Sequence, residues 1–290
     1  MSFGPEEPLS TATGAAAIGL GMSWVWRYDA GREQVHDLLA HAWERGIRWV
    51  DVSPAYGDAE RLLGEFLSEK PEGARVIAKF FGGVEASGWT PAALRRSLDS
   101  SLEALGLDSV TAYLIQSNDS RVLSEELLDE LSTIRAAGLA SAVGVSADAD
   151  ALDSVLADSR LDAFEFSFNL LDQESRDAVA QAGPGGALLV GKRMLANAAW
   201  RRTSGAHPYV AEYQRRAAAA FPAWTSDEWL DVAVRFAVYH TPCNVALFSS
   251  GKCKHVDAVV DASARGPLDA DILARIRTTA GEHPEWSPQF

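Results

Sequence analysis

The sequence is short of sulfur and of basic charge. Its 290 residues include only two cysteines, Cys243 and Cys253, and three methionines. Two cysteines in no ligand spacing make neither a disulfide framework nor a zinc site, and they read as free thiols of a reducing compartment. His207 and His240 have no partners at a metal-ligand spacing, so no metal is expected. Lys and Arg number 26 against 40 Asp and Glu, a net charge of −14. A surface this acidic repels nucleic-acid phosphate and anionic membrane, but leaves room for an anionic ligand in a local basic pocket. The apolar run Ala15–Met22 is too short to span a bilayer, and Met1–Ser10 is polar and acidic where a signal peptide would be basic; a cytoplasmic location is expected. No feature of the sequence fixes an oligomeric state. A glycine-rich G-x-G-x-x-G turn is also missing. Gly19-Leu20-Gly21-Met22-Ser23-Trp24 lacks the third glycine, which argues against an open dinucleotide-binding sheet.

What is present is a regular alternation. Short apolar runs read as strands at Ala16–Met22, Ile47–Val52, Ala74–Phe80, Val110–Ile115, Ala140–Val145, Phe164–Phe168, Ala187–Val190 and Val245–Phe248. Stretches of helical period lie between them. Arg32–Arg45 places Val35, Leu38, Leu39, Ala42 and Trp43 on one face and ends at Gly46. Asp58–Leu67, the stretch opened by Thr90-Pro91, Ser124–Ala137, Asp148–Leu156, Gln173–Ala180 and Asp227–Tyr239 follow, and Val256–Ala262 and Ala270–Thr279 close the chain. Strict βα alternation implies a parallel sheet, and eight such units without a linker predict an α/β (β/α)₈ TIM barrel, a single domain over 1–290. The segment 194–223 has no clear period and reads as an irregular insert, a lid in character.

In such a barrel, chemistry sits where strands end. Asp51 ends the second strand in IRWVDVSPAYG, and Tyr56 lies in the turn just after it. Lys79 ends the third within RVIAKF, and Gln116 the fourth within AYLIQSND. An ammonium set among Val76, Ile77, Ala78 and Phe80 requires a partner, and Asp51 is the candidate. A phenol titrates near pH ~10, and a nearby ammonium is expected to lower that value. Tyrosine then donates a proton to a carbonyl oxygen as hydride reaches the carbon.

These residues carry a family resemblance. GIRWVDVSPAYGDAERLLGEFL (Gly46–Leu67) resembles the signature of the aldo-keto reductase superfamily, in which a catalytic aspartate and tyrosine stand five apart, and RVIAKF and AYLIQSND fall where that family places its lysine and fourth catalytic residue. The resemblance implies Tyr56 as proton donor, tuned by Lys79 and Asp51, with hydride from a bound nicotinamide. Gln116 departs from the usual histidine. It can still donate an N–H to a substrate oxygen but cannot titrate near neutrality. That departure leaves open whether C=O, a conjugated C=C or C=N is reduced.

The same resemblance assigns cofactor positions. Ser146 stands where a serine meets the nicotinamide carboxamide, with Ala147 in place of asparagine; Glu165 replaces the usual glutamine. VGKRMLAN resembles the loop beneath the pyrophosphate, with Lys192 and Arg193 for charge and Leu195 and Asn197 approaching the phosphates. ALFSSGKCKHVDAVV resembles the adenosine-phosphate loop, where Ser250, Lys252 and His255 surround a 2′-phosphate and favour NADPH over NADH. Ala258 and Val259 replace the polar pair that meets the adenine. Trp24, Trp26, Phe81 and Trp89 fall in the first and third loops and are expected to form an aromatic substrate cleft for a small molecule. Two readings follow: an NADPH-dependent oxidoreductase of specialised metabolism, or a barrel of this family turned to non-redox acid–base chemistry or to cofactor sensing.

Overall fold

The computed structural model describes residues 15–69, 73–182, 186–201 and 208–288. Eight parallel strands close into a barrel: β1 (Ala17–Gly21), β2 (Trp49–Asp51), β3 (Arg75–Phe80), β4 (Val110–Gln116), β5 (Ala140–Ser146), β6 (Ala163–Ser167), β7 (Leu188–Lys192) and β8 (Val245–Phe248). Each strand pairs with the next, and β8 returns to β1 through Ala17–Val245 to Leu20–Phe248. The expected (β/α)₈ barrel is therefore the fold.

Strand side chains alternate between inside and outside. The inward positions hold one apolar cluster that includes Trp49, Ile77, Leu114, Ala142, Ala163, Val190 and Leu247. Outward positions pack beneath the helices in a second, larger core. One inward step beyond the apolar cluster come Asp51, Lys79, Gln116, Glu165 and Lys192, each two residues past Trp49, Ile77, Leu114, Ala163 and Val190. Ser146 follows Ala142 at the same parity. The rule that fills the barrel with Ile, Leu and Val thus also gathers the polar residues at its mouth.

The helices are α1 (Ser23–Arg27), α2 (Arg32–Glu44), α3 (Ala59–Glu69), α4 (Pro91–Leu105), α5 (Glu125–Ala136), α6 (Ala149–Asp153), α7 (Arg176–Ala182), α8 (Pro208–Ala220), α9 (Ser226–Tyr239), α10 (Cys253–Ser263) and α11 (Ala270–Glu282). The Thr90 hydroxyl caps α4 by accepting from Ala93 N–H, with Pro91 at the first helical position. Thr225 and Glu228 form a reciprocal capping box on α9.

Three expectations change. Residues 194–223 are not a continuous irregular insert, because 208–220 form α8; residues 202–207, with His207, lie outside those described. The Tyr213 and Arg216 side chains of α8 are buried. Tyr213 donates to Asp172 Oδ2 at 2.7 Å, and Arg216 donates to the carbonyls of Leu171 and Ser287. This helix is docked on the barrel top. Helix α6 is only five residues long, ending at Asp153 where the chain passes into turns, and the Asp148 side chain does not cap it. Helix α7 starts at Arg176 because Asn169 and Asp172 bridge in a tight turn.

Candidate active site

A cleft of about 990 Å³ opens at the C-terminal end of the strands. All four expected catalytic positions and all nine expected cofactor positions line it. Trp24 and Trp26 line it as well, Trp24 fully buried and Trp26 exposed at the rim. Phe81 and Trp89 do not. They pack edge to face on each other, and the Trp89 indole N–H donates to the Gly83 carbonyl.

Lys79 is the hub. Its buried Nζ lies 2.7 Å from Asp51 Oδ1, 3.0 Å from Glu165 Oε1 and 3.3 Å from Tyr56 Oη. The Glu165 carboxylate also accepts the Ser146 hydroxyl at 2.7 Å. Lys192 Nζ lies 3.4 Å from Ser146 Oγ and 3.1 Å from Asp148 Oδ2. Asp148 is buried, and its other oxygen accepts the Ser167 backbone N–H at 2.6 Å. Charges therefore alternate across the mouth: Asp51, Lys79, Glu165, Lys192, Asp148. Buried ions tolerate this setting only when paired in this way.

The electrostatics follow from burial and from that alternation. Burial works against the Lys79 ammonium, yet Asp51 and Glu165 outweigh it and hold the pKa well above the usual lysine range. Burial pushes Asp51 up to about 7 against the pull of Lys79, with Glu165 adding to the rise. Burial also raises Glu165, but Lys79, Lys192 and the Ser146 hydroxyl bring it below the ordinary glutamate value. The Tyr56 phenol is not lowered, as the ammonium alone had suggested. Burial, Asp51 and Glu165 together outweigh Lys79 and push it up to about 12. Tyr56 is thus a firmly protonated donor in this state of the cleft.

The pyrophosphate loop also differs from expectation. Lys192 faces Asp148 and Ser146, so its charge is committed within the barrel. Arg193 donates to Ser167 Oγ at 3.2 Å. Arg193, Ala196, Asn197 and Ala198 all have positive φ, the last three in succession at 44°, 54° and 54°. Non-glycine backbone held this way is costly and persists chiefly at ligand sites and switches. At the far end, Ser250 Oγ lies 2.7 Å from His255 Nδ1, and Arg201 Nη2 lies 3.4 Å from His255 Nε2. Lys252 is exposed beside them and directs its backbone N–H to Ser250 Oγ. Burial, then Arg201, Lys252 and Lys254, lowers the pKa of His255.

Sequence reasoning missed Arg201, Asp148 and the Lys79–Glu165 bond. Arg201 was one arginine among several in a segment without period. Asp148 was read only as the first residue of the helical stretch Asp148–Leu156. The inward parity of β3 and β6 was the signal that joined Lys79 to Glu165.

Fold and site together define a (β/α)₈ barrel whose mouth holds a buried lysine bonded to two carboxylates and a tyrosine. A family model, Aldo/keto reductase family, matches residues 17–280, and the chain belongs to that family of carbonyl-directed oxidoreductases, which use nicotinamide cofactors. The chain is 27% identical over 61% of its length to D-threo-aldose 1-dehydrogenase of a Pseudomonas species, covering 65% of that protein. It is 25% identical over 55% of its length to the NADH-specific methylglyoxal reductase of Escherichia coli K12, covering 55% of it. It thus spans about two thirds or less of the curated relatives it matches. Among solved structures, the holo form of an aldo-keto reductase from Bacillus halodurans superposes with a TM-score of 0.74 at 17% identity, over 90% of this chain and 91% of that one. Glycerol dehydrogenase of Gluconobacter oxydans gives 0.69 at 20% identity, over 92% and 91%. Likeness at this identity concerns the fold. No helix among the described residues is long and apolar enough to cross a membrane.

Proposed function

We propose that the protein is an NADPH-dependent oxidoreductase that reduces a small carbonyl compound, with Tyr56 as general acid. The observation that carries this reading is the Lys79 ammonium, bonded to Asp51 and 3.3 Å from Tyr56 Oη at the closed end of a long cleft.

The residues present fit a dinucleotide. Buried polar atoms along the cleft without a hydrogen-bond partner include Gln116 Oε1, Glu165 Oε2 and Asn197 Nδ2. Groups of this kind are ordinarily satisfied, so a ligand that reaches them gains their bonds. Arg201, Lys252 and His255 would hold a 2′-phosphate, which supports NADPH over NADH in a chain of net charge −14. Leu195 and the Ala196–Ala198 backbone would lie along the pyrophosphate. When bound, the cofactor supplies hydride.

The chain's own residues do the rest. Tyr56 donates its hydroxyl hydrogen to the carbonyl oxygen and passes its proton there as the alkoxide forms. Lys79 stabilises the resulting phenolate, and Asp51 fixes Lys79 in place. Gln116, at the same level, orients the carbonyl through its amide N–H and relays no proton. Trp26 and Trp24 form the apolar wall that excludes water. The unpaired thiols of Cys243 and Cys253 suit a reducing, cytoplasmic setting.

The test pairs cofactor binding with turnover. NADPH should bind more tightly than NADH in a fluorescence titration. Tyr56→Phe should keep that affinity while losing about 10²–10⁴-fold in carbonyl turnover. A variant that still turns over shows that Tyr56 is not the acid. If NADPH does not bind at millimolar concentration, the non-redox acid–base reading takes its place.

A further inference from the structure

Glu165 has a role that neither the fold nor the tyrosine centre requires. Its carboxylate is 1% exposed. Oε1 is held by two donors, Lys79 Nζ at 3.0 Å and Ser146 Oγ at 2.7 Å. Oε2 is equally buried and has no partner. Fully ionised, the alternating row across the mouth has three carboxylates, Asp51, Glu165 and Asp148, against two ammoniums, Lys79 and Lys192. Arg193 adds a guanidinium that acts on Asp148, and the carboxylate oxygen of the row left with neither hydrogen bond nor ion pair is Glu165 Oε2.

The inference rests on the nicotinamide-dependent reading above. In that reading, the carbon that accepts hydride belongs to a carbonyl bonded by Tyr56, and the phosphates sit at the Arg201–His255 end. The nicotinamide ring would lie near Tyr56, and Asp51, Lys79, Glu165 and Ser146, bonded to one another beside Tyr56, line the same cleft. The two redox forms of the ring differ by one charge. Carbonyl, dihydronicotinamide and a proton give alcohol and a nicotinamide cation: hydride leaves the ring carbon, and the oxygen gains the proton.

We propose that Glu165 sets the redox-state preference of the cofactor site, its carboxylate favouring the oxidised, cationic nicotinamide over the reduced, neutral one. A neutral amide in the same place would have no such preference. Two consequences follow. The bound equilibrium is drawn toward delivered hydride, and release of the oxidised cofactor is slowed. Glu165 is a specificity-determining residue in this proposal, and Tyr56 remains the acid.

The experiment is equilibrium binding of NADP⁺ and NADPH by titration calorimetry, without substrate, to wild type, Glu165→Gln and Ser146→Ala. Wild type should bind NADP⁺ about tenfold more tightly than NADPH, the effect of one screened unit charge. Glu165→Gln should move the ratio about tenfold toward NADPH. Ser146→Ala keeps the carboxylate and should leave the ratio within about twofold of wild type. If Glu165→Gln does not fold, the wild-type ratio still decides, since tighter binding of NADPH overturns the proposal. An unmoved ratio in a folded Glu165→Gln that binds both forms overturns it too, and leaves the cofactor reading standing. If neither form binds wild type, the cofactor reading fails and the proposal with it.

Discussion

Asp172 is a buried carboxyl on the rim, held by the Tyr213 hydroxyl at 2.7 Å. Burial pushes its pKa up to about 7 despite that bond, with Asp148 adding to the rise. A carboxyl raised in the folded state binds its proton more tightly there than in the unfolded chain. The stability it contributes is therefore full in acid and is lost as pH rises from about 4 through 7. Asp51, also near 7, acts in the same direction. Urea unfolding should give a lower stability at pH 8 than at pH 5, with about 3 kcal/mol as the upper limit for Asp172 alone. Asp172→Asn keeps an acceptor for Tyr213 and should flatten that slope; an unchanged slope would show that Asp172 does not titrate there. At this scale the sequence was legible wherever one residue announced itself. Asp51 and Lys79 stood at strand ends among apolar neighbours, with Tyr56 in the turn just after Asp51. The Lys79–Glu165 bond, across 86 positions, left only the shared inward parity of two strands as a signal, and barrel closure is what brings those strand ends together. The direction of the Tyr56 shift was missed because its largest cause is burial, which the sequence does not display, with the two carboxylates adding to it.

Helices α3 and α4 meet closely at Gly64. A Cβ there would lie 2.2 Å from the Ala104 carbonyl oxygen and 2.9 Å from Leu105 backbone carbon. Helix propensity alone makes Gly→Ala stabilising by about 1 kcal/mol. The close backbone approach predicts the opposite sign for Gly64→Ala, a loss of about 3 kcal/mol, read from the urea midpoint at constant slope. Elements with strong period were readable to within a few residues: α2, α4, α5 and α9 all lie close to their expected bounds. Helix α8 was hidden because its period is carried by Tyr213, Arg216, Ala217 and neighbouring alanines. Its buried contacts are a phenol bonded to the Asp172 carboxylate and a guanidinium bonded to the Leu171 and Ser287 carbonyls, not a run of leucines. The five-residue α1 has too few positions to display a period.

The whole molecule is strongly acidic, while the far end of the cleft gathers Arg201, Lys252, Lys254 and His255. At low ionic strength, where the Debye length is about 30 Å, a dinucleotide approaching from solution meets the full −14 before it meets those few cations. Repulsion governs the encounter, and salt should speed it. The association rate of NADPH in stopped-flow is expected to rise about twofold to threefold between 10 and 200 mM salt. A falling rate would mean that the local cations steer the approach. The barrel's closure adds a temporal consequence. Because β8 is the strand that pairs with β1, a chain growing from its N-terminus carries two raw sheet edges until Val245–Phe248 emerges. Ser250–His255 follow within the next few residues. The nascent protein loses its last exposed edges and gains the cationic end of its cleft almost in the same moment of synthesis, so that end of the cleft exists only in a finished barrel.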